Sequence, residues 1–162
     1  MIVISEASPI IAFSTMGYLE VFRFLYKQIV LPEIVCQEIT VAGKDQPGIY
    51  EVWAADWIDI RSVNNHLLVR ALETDLDSGE AEAIATALDS KGHLLLVNER
   101  RARAVAKRMG IDIIGIMGVL VEAKKCGLIR TLKPVLDELI LGVGFGIRRE
   151  LYEHMLHFAG EK

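Results

Sequence analysis

A chain of 162 residues with 52% hydrophobic and 25% charged residues is long enough to bury one ordinary core and too short to be expected to form two domains. Its net charge of -4 and pI near 5.6 exclude a globally basic nucleic-acid binder, so contact with a polyanion would need a local basic stripe. The longest apolar stretch, Ile113 to Ala123, is broken by glycines and Glu122 and is too short to cross a bilayer, while Cys36 and Cys126 alone make neither a disulfide framework nor a thiolate zinc site.

The amino terminus opens directly on the strand-like Ile2 to Ser5, with no basic segment or cleavage site ahead of it, so a cytoplasmic location without membrane association is expected. Glu6 follows at once. Its simplest reading is a carboxylate beside a helix amino terminus, with Ser8 as N-cap and Pro9 as the first helical residue. A second strand, Ile29 to Leu31, leads into "PEIVCQEIT", where Glu38 lies four residues after Ile34 and three after Val35, on their apolar face; Glu33 does not. The polar stretch Ala42 to Gly48, a third strand at Ile58 to Val63 and a loop at Ser62 to His66 come next.

In "DSGEAEAIATAL", Glu80 shares the stripe of Ala83, Ile84 and Leu88, and it is also the third residue of a capping box opened by Asp77. Glu82 falls on the face of Ala85, Thr86 and Asp89 and is expected in solvent. A fourth strand, Leu94 to Asn98, is followed by Glu99 as the first residue of a helix whose core stripe is Ala102, Val105, Ala106 and Met109. Arg100, Arg103 and Lys107 are expected on the flank nearest Glu99, with Arg101 and Arg108 on the other. The last strand is Ile111 to Ile114, and the chain is helical from about residue 133, with a joint at Gly142 to Gly146 and an apolar stripe of Leu151, Met155 and Phe158. "GVGFG" lacks the βαβ setting of a dinucleotide loop, and His154 and His157 lack a third ligand.

Short apolar strands alternating with helices predict a three-layer α/β/α sandwich around a mainly parallel sheet. In such sheets ligands gather beyond the carboxyl ends of the strands, where Glu6 and Glu99 stand. Acids on buried stripes, such as Glu38 and Glu80, are costly unless a shared divalent cation offsets them, which points to a metal site. A basic flank beside it would hold the phosphates that the acids repel.

The segments "SEASPIIAF", "LPEIVCQEI", "DSGEAEAIATAL", "LLLVNERRARAVAKRMGIDIIGIMGVLVEAKKCGLI" and "LKPVLDELI" resemble a prokaryotic branch of the PIN-domain superfamily related to VapC-type toxin ribonucleases. The resemblance implies one PIN-like domain over residues 1–162. It carries the four acidic positions onto Glu6, Glu38, Glu80 and Glu99 as catalytic residues and ligands of Mg2+ or Mn2+, with Ser8 and Asn98 supporting them. It also implies a metal-dependent endoribonuclease, the toxin of a toxin-antitoxin pair, acting on RNA, inhibited by a small antitoxin protein and forming a homodimer. Arg100, Arg103 and Lys107 would then bind RNA phosphates. Active relatives usually carry Asp after the first strand, and the added methylene of Glu6 displaces a carboxylate by about a bond length. The alternative reading is therefore a catalytically degenerate PIN scaffold that binds protein or RNA without cutting.

Overall fold

β1 (Ile2–Ser5) occupies the middle of the sheet because its side chains are apolar toward both faces: Val3 joins the core on one side and Ile4 the core on the other, each essentially inaccessible. The computed structural model describes residues 1–90 and 93–161, so the expected boundary at residue 162 lies outside the described residues. The other strands are β2 (Ile29–Pro32), β3 (Ile58–Arg61), β4 (His93–Leu96) and β5 (Asp112–Ile114). All pair in parallel in the order β3-β2-β1-β4-β5, with Ile4 opposite Val30 and Ser5 opposite Leu96. The expected sandwich around a parallel sheet is the observed architecture.

The helices are α1 (Ala7–Met16), α2 (Glu20–Tyr26), α3 (Glu33–Ala42), α4 (Ile49–Ala54), α5 (His66–Leu72), α6 (Ser78–Asp89), α7 (Arg100–Arg108), α8 (Ile116–Lys125), α9 (Leu132–Leu141) and α10 (Arg149–Phe158). On one face of the sheet, Val3, Ile29, Leu31 and Leu96 pack with α1 to α4 and α8 to α10. On the other, Ile4, Val30, Leu95 and Val97 pack with α5 to α7. The period of two along each strand thus builds both cores.

Strand ends shift by a residue or two from expectation: β3 stops at Arg61, β4 at Leu96, and β5 begins at Asp112. α1 starts earlier than expected, with Glu6 at the N-cap and Ser8 and Pro9 as its second and third residues. Proline fits there because first-turn amides have no intrahelical acceptor. Glu99 is likewise an N-cap, and Met109, expected in the core, is the C-cap of α7 and 37% exposed. Glu82 is half-buried, since α6 is covered on nearly all sides, burying Ala85 and Thr86 on its face while Leu88 is left exposed.

The terminal segment is a helical hairpin with its joint at the expected glycines. Tyr152 Oη donates to Asp137 Oδ1 at 2.5 Å, and the backbone N–H groups of Leu132 and Lys133 donate to the Glu161 carboxylate, which caps α9 from the far end of the chain. Met155 and Leu156 are the buried residues of α10, whereas Leu151 and Phe158 are substantially exposed. The helix is rotated from the expected stripe because Tyr152 and Ala159, not Leu151 and Phe158, complete the face packed on the core.

Candidate active site

The strand order creates a switch point: from β1 the chain builds outward through β2 and β3, then crosses to place β4 on the other side of β1. The crevice beyond the carboxyl ends of β1 and β4 is where an open parallel sheet collects ligands. A cleft of about 370 Å³ lies there, lined by the acidic residues Glu6, Glu38, Asp75, Asp77, Glu80 and Glu99 together with Arg101, and with Ser8 beside them on the first turn of α1. The structure therefore brings together the four acids expected from the sequence and adds two aspartates and an arginine.

Glu6 leaves the end of β1 with its backbone N–H bonded to Leu96 O at 3.2 Å, and only 4% of the residue is exposed. Its Oε1 accepts the backbone N–H of Asn98 at 3.1 Å. Asn98 thus contributes through its main chain. Burial pushes the Glu6 carboxyl up to about 8, against the Asn98 N–H, which favours the anion; the negative charges of Glu80, Asp77 and Glu99 push it further the same way. In the absence of a cation, Glu6 is mainly protonated at neutral pH. Because Oε1 is the acceptor, the proton belongs on Oε2.

Glu38 reaches the cleft from α3 and sits against the first turn of α6. A Cβ on Gly79 would lie 2.3 Å from Glu38 Oε1 and 2.6 Å from Oε2, so only glycine leaves room for the carboxylate. The Gly79 N–H, in the second position of the helix, is one of the amides without an intrahelical partner, and it stabilises the Glu38 anion. Burial nevertheless raises the Glu38 pKa, and the neighbouring Asp77 charge adds to the rise.

Glu80 performs the capping role as well as lining the cleft. Its backbone N–H donates to Asp77 Oδ1 at 2.8 Å and its Oε1 accepts the Asp77 N–H at 3.2 Å. Burial raises its pKa; the Asp77 N–H and the Arg101 guanidinium pull it down, whereas Asp77 and Glu99 push it up. Glu99 is exposed at the rim, and its side chain makes no cap bond.

The basic residues are distributed differently from expectation. None of Arg100, Arg103 and Lys107 lines the cleft. Arg103 turns inward, its Nη1 donating to Val97 O at 3.2 Å, and a Cβ at Gly115 would lie 2.5 Å from that nitrogen. Arg101 instead faces the acids, its Nη1 held by Asp75 O at 3.2 Å. The phase is set by the N-cap at Glu99 and by docking of α7 beside the loop before α6, a tertiary contact that helical spacing alone does not reveal. Asp75 and Asp77 enter with that same loop. The signal for Gly79 was the glycine at a helix start, but its partner Glu38 comes from another helix.

An all-oxygen, carboxylate-rich donor set fits a hard divalent cation such as Mg2+ or Mn2+. Burial raises the pKa values of Glu6, Glu38 and Glu80, and the neighbouring acids push them further the same way; a bound cation would favour the ionised forms. Among the described residues, no group of three or more His, Cys, Asp or Glu is arranged to hold an ion as it stands. Glu6 Oε1 accepts the Asn98 N–H and Glu80 Oε1 the Asp77 N–H, which leaves the second oxygen of each carboxylate for an ion. His154 and His157 are exposed on α10, and no described helix is long and apolar enough to cross a membrane.

A family model described as PIN domain matches residues 2–161. No curated protein and no solved structure matches the chain significantly.

Proposed function

The chain belongs to the PIN-domain family, whose members are generally nucleases that use divalent metals, and from that premise we propose a Mg2+- or Mn2+-dependent endoribonuclease acting as the toxin of a toxin-antitoxin pair. The observation that carries the reading is the convergence of Glu6, Glu38, Glu80 and Glu99 in one cleft at the switch point of the sheet. These four would hold the ion, with Asp77 beside them. When bound, a divalent ion lowers the pKa of an attacking water and neutralises charge on the scissile phosphate.

The residues of the chain supply the rest. The Asn98 N–H orients the Glu6 carboxyl through Oε1, and Oε2, where the proton sits, would lose it to solvent on ligating an ion. Gly79 leaves the space and the N–H that hold Glu38 in position. Arg101, the one cationic side chain lining the cleft among the described residues, offsets the repulsion between the acids and a phosphodiester.

The antitoxin proposal is supported by an apolar groove on α1 and α3 that includes Ile11, Val41 and Ala42 and shares Ala7, Ser8 and Glu38 with the acidic cleft. A segment with apolar side chains and a basic residue matches both surfaces. Homodimer formation is part of the same proposal. The cytoplasm is the proposed compartment, in keeping with the free thiols of Cys36 and Cys126.

A second reading, a PIN scaffold that binds without cutting, is favoured by the spread of the acids: among the described residues no three of them are arranged to hold an ion as they stand. Incubation of the protein with a mixed RNA pool, in Mn2+ and in chelator, separates the two. The nuclease reading expects internal cleavage in Mn2+ that is lost in chelator and in Glu38→Gln. RNA left intact by folded, Mn2+-saturated protein would establish the scaffold.

A further inference from the structure

We propose that the RNA strand leaves the acidic cleft along α7, over a phosphate-binding track formed by Arg101 and Arg108, with Arg101 at the junction of cleft and track. The inference rests on the nuclease reading and adds the route of its substrate. A second groove of about 450 Å³ adjoins the cleft, lined by Asp75, Arg101, Ala104, Val105 and Arg108, and it shares Asp75 and Arg101 with the cleft. The two depressions meet at Asp75 and Arg101, and their lining changes from mainly acidic residues at the sheet to two arginines along the helix.

The helix geometry suits a strand. Arg101, Ala104 and Arg108 fall at spacings of three and four, so they share one face, and the two arginines stand about 10 Å apart along the axis, far enough to reach different phosphates. Ala104 between them is exposed and short, leaving the floor open. Among the described residues neither arginine makes a salt bridge; Arg101 acts on Glu80 only through the field across the cleft. The bond from Arg101 Nη1 to Asp75 O uses one of five N–H groups and fixes the guanidinium in place, leaving the others for phosphate oxygens. Among the described residues Asp75 is the one acid on this groove, and its main-chain carbonyl anchors Arg101.

Arg100, Arg103 and Lys107 make the competing track. Arg103 is committed to Val97 O, and neither Arg100 nor Lys107 lines either groove.

The test is fluorescence anisotropy of a short labelled single-stranded RNA in Mg2+ at several salt concentrations. It uses full-length protein carrying Glu38→Gln to prevent turnover, with folding of each variant checked by thermal melting. Arg101→Gln and Arg108→Gln are each expected to weaken binding about fivefold and to reduce the slope of log affinity against log salt by about 0.7. Arg101→Lys should restore part of the affinity as a point charge. Arg100→Gln and Lys107→Gln are expected to stay within about twofold of the parent. Parental affinity and slope in both Arg101→Gln and Arg108→Gln would overturn the track while leaving the nuclease reading intact, as would a larger loss at Arg100 and Lys107. Unsubstituted protein that binds Mn2+ but neither binds nor cuts RNA overturns the track together with the ribonuclease reading.

Discussion

Replacing Glu6 by Gln should make the metal-free protein more stable at alkaline pH and leave it nearly unchanged in mild acid. The carboxyl is pushed from its ordinary value of 4.5 to about 8, chiefly by burial. Between those two values the folded chain keeps a proton that the unfolded chain has released, so the stability of the parent falls as pH rises through that window. The slope approaches 1.4 kcal/mol per pH unit, which accumulates to a cost on the order of 4 kcal/mol by about pH 8. Glutamine retains an Oε1 acceptor for the Asn98 N–H and has no charge to desolvate. Urea denaturation in chelator should therefore give curves for parent and variant that nearly coincide at about pH 5 and diverge steadily to about pH 8.5. The reasoning is refuted if the difference is the same at both ends of that range, or if the parent is the more stable protein at the alkaline end.

Gly79→Ala forces the Glu38 carboxylate away from the first turn of α6, so Mn2+ affinity should fall about tenfold in calorimetry while the fold survives. Arg103→Ala strips the Val97 carbonyl of its side-chain donor and should cost about 1–3 kcal/mol in urea denaturation, against less than about 0.5 kcal/mol for Lys107→Ala. Met155→Ala should cost about 2–5 kcal/mol by the same assay, while Leu151→Ser on the exposed side of α10 should cost well under about 1 kcal/mol.

The sheet was legible because its strands are short and the inner strands β1 and β2 are rich in β-branched residues and apolar toward both faces, and strands of that kind need a helix layer on each side. Glu6 and Glu99 were legible by position, since each follows a strand that ends at the switch point. Glu38 was legible from its phase, being the acid on an otherwise apolar face of α3. What the sequence could not show depends on docking between elements. Arg101 rather than Arg103 meets the acids because α7 lies beside the loop carrying Asp75, and either face of a helix with five basic residues satisfies the same periodicity. Gly79 gains its role from a carboxylate on α3. α10 offers two overlapping stripes that share Met155, and packing on the rest of the terminal hairpin selects the one through Tyr152 and Leu156.

The central claim is that the acidic cleft binds a divalent cation through Glu6 and its neighbours. Titration calorimetry of Mn2+ into the folded protein at neutral pH, repeated in buffers of different ionisation enthalpy, tests it most directly. Binding of the ion should release close to one proton, because Glu6 begins protonated and must ionise to ligate, and Glu6→Gln should abolish that release and weaken binding. Absence of binding by the folded protein, or binding with the same proton release and affinity in Glu6→Gln, would contradict the account.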